Sequence, residues 1–214
     1  MPSAERLSDR LHQLQRHRRA LLRCRACPDV LPPVVAGPAL LSPVYLIGQA
    51  PGFHEGRLGR PFAYTAGKNL FRWFATLSAD EERFRERVYL AAVLRCFPGK
   101  ARSGGDRVPG RAEIERCSRW MAAEQRILRP ELVIAVGKLA IERVTGSRVA
   151  GLDSAVGEVR RGELYGRPVD WMALPHPSGL NTWYKVEPGK SLLRRALRAL
   201  GRHPAWNKAF EVGE

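Results

Sequence analysis

Long apolar runs are missing from this chain of 214 residues. No uninterrupted hydrophobic stretch approaches the roughly 20 residues needed to span a bilayer, so no transmembrane helix and no membrane partner is predicted. Acidic residues are few, 21 against 36 Lys and Arg, which leaves a formal charge of +15. That imbalance predicts attraction to a polyanion, with nucleic acid the leading partner, although solvated Arg-rich faces produce the same count. An export signal is not read at the N-terminus. Residues 5–23 are Arg-rich, but they place Leu7, Leu11, Leu14, Leu21 and Leu22 at near-helical spacing, with Glu5 and Asp9 in the first turns; a docked helix is expected, not a targeting peptide. Cysteine is scarce as well, at four residues. In the reducing cytoplasm expected here, these are read as metal ligands or free thiols in preference to disulfides. Repeats and a domain linker are also lacking, and one domain over residues 1–214 is expected.

What the chain does contain is alternation. The apolar runs Val44 to Ile47, Val88 to Leu94, Leu132 to Val136 and Trp171 to Leu174 are short and rich in branched residues. Helical patterns over Thr65 to Leu77, Arg111 to Leu128, Lys138 to Val144 and Ser191 to Leu200 separate or follow them. This predicts an α/β fold with a mostly parallel sheet covered by helices on both faces. A weak hairpin is expected over Gly157 to Val169. The stretches Val30 to Pro43 and Phe97 to Gly110 read as irregular, the latter basic and Gly-rich.

The sharpest local feature is Gly48-Gln49-Ala50-Pro51-Gly52, which follows the first strand and leads into Gly59-Arg60-Pro61-Phe62. A buried strand that empties into a Gly/Pro-rich loop presents backbone N–H groups at its carboxyl end, where open α/β sheets place their ligands. Separately, Cys24 and Cys27 form a C-x-x-C at the end of the first helix, Cys96 is expected to end the second strand, and Cys117 lies in the next helix. Such a set suits either zinc or an iron–sulfur cluster.

The loop GQAPG, the segment GRPFAYTAG, the four cysteines in this order, PELVIAVGKLA and the final LPHPSGLN together resemble the iron–sulfur uracil-DNA glycosylases, family 4, from Cys24 to about Asn181. The resemblance implies a three-layer α/β/α sandwich around a four-stranded, mostly parallel sheet. It implies a [4Fe-4S] cluster on Cys24, Cys27, Cys96 and Cys117 that ties the N-terminal helix 5–23 to the core. It also implies a cytoplasmic, bacterial, nucleoid-associated enzyme of base-excision repair that acts as a monomer on damaged DNA. A monofunctional DNA glycosylase must flip its target base, hold it, and stabilise negative charge as the N-glycosidic bond lengthens. By the same resemblance Phe62 stacks on the base, and Gly48, Ala50 and Ala92 line its pocket. His176 stabilises the departing anion, and Leu180 wedges the vacated gap. Ser178 and Lys185 hold phosphates, with Lys100, Arg102, Arg107 and Arg111 as a further basic rim.

Two departures qualify that pattern. Gln49 stands where the family usually has Glu; it can orient water but cannot act as a base. Ala92 stands where Asn usually reads the uracil edge, which relaxes discrimination among bases; Asn69 or Gln49 is a conjectural replacement amide, and His54 a further polar group near the loop. Residues Gly99 to Gly110 contain no His, so covalent capture of abasic DNA from that loop is not predicted. Uracil is the expected base. The alternative reading is a lesion-binding protein that keeps the fold and cluster but not catalysis; a third is a zinc-stabilised enzyme acting on a phosphorylated small molecule.

Overall fold

Branched, apolar residues with no polar face to offer water can be satisfied only between two covering layers, and that is where the central strands lie. In the computed structural model, which describes residues 4–102 and 104–211, helix α1 (Ala4–Leu22) precedes β1 (Val44–Gly48), α2 (Phe53–Leu58), α3 (Thr65–Ala75), α4 (Glu81–Arg87) and β2 (Tyr89–Ala92). There follow α5 (Arg111–Leu128), β3 (Leu132–Val136), α6 (Lys138–Thr145), α7 (Leu152–Ala155), β4 (Val159–Leu164) and β5 (Arg167–Leu174). A 3₁₀ turn (Trp183–Lys185), α8 (Gly189–Gly201) and α9 (Pro204–Phe210) close the chain. Every residue of β1 and β3 is buried, so both faces of the sheet are covered.

The sheet order is β2-β1-β3-β5-β4. Strands β2, β1, β3 and β5 run parallel, while β4 pairs antiparallel with β5. The sheet thus has five strands, not four. The expected hairpin supplies the extra one at an edge, where its residues 159–163 are only partly covered; a half-exposed strand lacks the continuous apolar run that marks a central one. The second strand is shorter than its apolar run suggested and ends at Ala92, so Cys96 sits in the following loop and not at the strand end.

From β1 the chain crosses to β2 on one side, and from β3 it crosses to β5 on the other. The carboxyl ends of β1 and β3, which are neighbours, therefore form the switch point where such sheets bind ligands. Away from that edge, rings of Phe74, Phe84, Trp206 and Phe210 stack at centroid distances of 4.3 to 6.4 Å and fix α3, α4 and α9 together. No helix among the described residues is long and apolar enough to cross a membrane.

Candidate active site

At the end of β1 the chain turns through Gln49 to Gly52, held to the segment after β2 by Val93 N–H donating to Gly48 O (2.9 Å) and Leu94 N–H to Gln49 O (3.0 Å). Gly48 has no room for a side chain: a Cβ there would lie 2.7 Å from the Phe62 ring. That ring rests on the strand end because its backbone is held at φ 53°, a left-handed conformation that costs a non-glycine residue about 1–3 kcal/mol. Its neighbours over-determine the turn. Arg85 donates to Pro61 O (2.9 Å) and Phe62 O (3.0 Å). The Glu55 carboxylate accepts from Gly52 N–H (2.7 Å) and Ala63 N–H (3.0 Å). Gly67 lets the Phe62 carbonyl approach to 1.7 Å from where a Cβ would stand.

The outcome is a narrow slot lined by Val35, Gly48, Ala50, Pro51, Glu55, Pro61, Phe62, Ala91 and Ala92. Its walls are apolar except for Glu55, whose carboxyl is pushed up by burial and drawn back by the N–H groups of Gly52, Ala63 and Phe62 and by Arg85. A slot with one aromatic wall suits a flat, uncharged ring. Gly48, Ala50, Phe62 and Ala92 are thus brought together as expected. Gln49 is half-buried beside them, and it is not among the residues that line the cavity.

His176 follows β5 directly. Its Nδ1 accepts from Ser178 N–H (3.3 Å), so in the neutral ring the proton resides on Nε2, leaving that nitrogen as a donor. Burial lowers the His176 pKa, with Asp106 acting in the opposite direction, so the neutral form prevails at physiological pH. The loop is pinned by Asn181 Nδ2 donating to His176 O (2.8 Å) and Asn69 Nδ2 to Pro177 O (2.9 Å). Asn69 is therefore a loop tether and not a free base-reading amide. Gly137, at the end of β3, leaves space for the imidazole, whose Cδ2 lies 3.3 Å from where a Cβ would be. His176 thus packs on β3 at the switch point.

Sequence reasoning missed Asp106 and Glu55. Asp106 Oδ2 lies 3.4 Å from the position of a Cβ on Gly52, and Oδ1 pairs with Lys100 at 2.7 Å. A carboxylate from the basic loop thereby stands beside the β1 turn, within electrostatic reach of His176. Nothing in its local sequence distinguishes it from a surface acid. Glu55 was legible as the residue three beyond Gly52, whose backbone N–H it caps.

The outer residues divide. Leu180 is 90% exposed, an apolar side chain with no packing partner to justify it in the free protein. Lys185 is exposed and donates to Gly179 O (3.2 Å). The basic rim is mostly engaged within the protein. Arg107 clasps Glu113 with both nitrogens at 2.8 Å and donates to Pro98 O and Asp29 O. Arg111 pairs with Glu115 and Lys100 with Asp106. Arg102 makes no ion pair among the described residues. His54 does not face the cavity; it is exposed and lies against Tyr64, ring centroids 4.2 Å apart.

All four cysteines line a second cavity between the end of α1, the segment after β2 and α5. Among the described residues no three His, Cys, Asp or Glu side chains converge on one metal ion. Burial pushes the Cys96 thiol up to about 11, reinforced by Cys117, Cys24 and Cys27, and burial raises Cys117 too. Beside this cavity lies a buried network. Glu124 on α5 accepts from Arg95 Nη2 (2.5 Å), Tyr89 OH (2.9 Å) and Tyr45 OH, and meets His17 Nε2 of α1 at 3.3 Å. It links the three segments that carry the cysteines. The N-terminal helix is anchored further by Arg10 donating to Ile127 O and Leu128 O.

Residues 35–201 match the family model described as the uracil DNA glycosylase superfamily. The chain is 31% identical over 168 residues to a type-4 uracil-DNA glycosylase of Thermotoga maritima, covering 74% of this chain and 78% of that protein. It is 29% identical over 140 residues to a type-4 uracil-DNA glycosylase of Pyrobaculum aerophilum, covering 64% and 67%. A type-5 uracil-DNA glycosylase of the same organism is 31% identical over 173 residues, covering 74% and 72%.

Proposed function

We propose that this chain, which belongs to the uracil DNA glycosylase superfamily, is a monofunctional DNA glycosylase that takes a deaminated base, uracil first, out of DNA and hydrolyses its N-glycosidic bond. The observation that carries the reading is the Phe62 ring, held at a strained backbone angle over Gly48 to wall a small apolar slot at the sheet's switch point. Strain of that kind persists where the surrounding structure enforces it for function.

The flipped base stacks on Phe62 between Ala50 and Ala92. As the C1′–N bond breaks, its electron pair passes into the base, and negative charge collects on the exocyclic carbonyl oxygens. The neutral His176 Nε2–H stabilises that charge by hydrogen bonding, without giving up its proton. Water then adds to C1′, and the proton it releases is taken up, through solvent, by the departed base anion, giving the abasic sugar and the neutral base. Gln49 orients that water, and the Asp106 carboxylate supplies the negative charge opposite the sugar that Gln49 cannot. Glu55 is the side-chain acceptor available to an N–H on the base edge where Ala92 offers none. Leu180 fills the gap in the duplex, while Ser178 and Lys185 hold phosphates.

The cysteines fit a [4Fe-4S] cluster on Cys24, Cys27, Cys96 and Cys117. Thiols distributed round a cavity, with no three converging on a point, suit a polynuclear cluster in which each iron takes one thiolate. Bound there, it supplies a cross-link between α1 and the Cys96 to Cys117 region. Under this reading the protein acts on DNA, and its charge of +15 favours that substrate.

The test is single-turnover base release from oligonucleotides carrying uracil, hypoxanthine or xanthine, with alkali revealing abasic sites. Release of uracil that is lost in His176→Ala and reduced at least tenfold in Asp106→Asn is expected. Tight binding of the damaged oligonucleotide with no release at enzyme excess refutes the reading in favour of a lesion-binding protein.

A further inference from the structure

Beside the base slot runs a row of rings that the reaction does not use. Phe53 opens α2 immediately after Gly52 and is 51% exposed; Tyr64, two residues past Phe62, is 50% exposed. Between them His54 stacks at 4.2 Å on Tyr64 and meets Phe53 edge-on at 5.4 Å. Phe53 in turn rests against buried Phe97 at 5.8 Å, over which Lys100 places its ammonium at 5.8 Å. The row is held rigidly to the slot, because Glu55 bonds α2 to Ala63, between Phe62 and Tyr64. The exposed Arg57 and Lys68 lie on the same two segments and form no ion pair among the described residues.

A single exposed ring is ordinary, but a contiguous row of half-exposed rings beside a binding slot marks a surface that a ligand covers. We propose that this row is a stacking platform for unpaired nucleobases next to the flipped nucleotide, so that the protein engages single-stranded DNA through contacts it does not make with duplex. In a duplex the neighbours of a flipped base stay paired inside the helix, each stacked on the next base pair and on the Leu180 wedge, and a surface ring finds no free π-face. In a single strand those faces are open, and stacking on protein rings is tolerant of sequence. The unpaired cations beside the row match the phosphates that accompany such bases. The inference rests on the proposed function only in taking DNA as the ligand.

The experiment uses fluorescence anisotropy with labelled oligo-dT, single-stranded or annealed to oligo-dA, neither of which contains an excisable base. In the full-length protein, Phe53→Ala and Tyr64→Ala are each expected to weaken single-strand binding about tenfold, with duplex binding changed less than twofold. Tyr64→Phe, which keeps the ring, should restore binding, and Phe53→Trp should report quenching on adding the single strand. Unchanged single-strand affinity, equal losses on both DNAs, or no quenching overturns the platform. Ring-dependent binding by a protein that releases no base would keep the platform and remove the glycosylase reading; base release with ring-independent binding would do the reverse.

Discussion

Removing the charge of Glu124 tests whether the buried network holds the cysteine-bearing segments together. Glu124 is fully buried, which raises a carboxyl, yet Arg95 and the hydrogen bonds from His17, Arg95 and Tyr45 outweigh burial and hold it down to about 2, from an ordinary 4.5. A depression of that size corresponds to about 3 kcal/mol at 1.36 kcal/mol per pH unit. Because the folded value lies below the unfolded one, this stability is fully present above pH 4.5 and is lost as pH falls toward 2. Glu124→Gln keeps the shape but leaves Arg95 as an uncompensated buried cation, whose Nη1 already has no partner, a change that typically costs about 3–5 kcal/mol. In a domain of this size that is a fall in Tm of about 10 °C. Thermal unfolding at pH 7 and at steps down to pH 2.5 measures it, and the variant should also show a flatter acid limb. A Tm within about 2 °C of the parent with an unchanged acid limb would refute the reasoning, because neither the buried cation nor the linked proton would then matter.

Three further outcomes follow from the site. Base release should be level through neutral pH and decline only below the ordinary histidine range, as His176, whose pKa burial lowers, acquires a proton; a pH–rate profile rising toward acid would show that the imidazolium is the active form. Gly48→Ala places a methyl 2.7 Å from the Phe62 ring and should destabilise the fold by about 1–3 kcal/mol while reducing base release more than DNA affinity; an unaffected rate would mean that the ring is not the wall of the reactive pocket. Cys24→Ala should lower the iron content and the visible absorbance of the purified protein together with its Tm, and an unchanged iron count would remove Cys24 from the ligand set.

Local patterning by itself determined the fold class, the limits of α5 and β3, and the helix over residues 5–23 to within one residue. These follow from side-chain periodicity and from end signals that act within one or two turns of chain. It also located the β1 turn, since glycine and proline report local backbone needs directly; the place of Phe62 against that turn was implied by the family resemblance. The fifth strand was harder to see because an edge strand is covered on one side and carries a weaker pattern.

What only the tertiary structure decided depends on groups far apart in the chain. Asp106 reaches the site because its loop folds back over Gly52, which no spacing rule encodes. Asn69 looked like a spare amide until the fold placed Pro177 against it. The sequence left His54 either at the loop surface or facing the pocket, and only the fold set it in an exposed row against Tyr64. The tautomer of His176 rests on a backbone N–H two residues away, a bond that exists only in the particular turn that β5 enters. Glu124, Arg95, Tyr45, Tyr89 and His17 come from five separate elements or loops, and burial of charge is favourable there because the fold delivers all the partners at once. Residue types state what chemistry is available; long-range packing determines which groups meet and which are left to water.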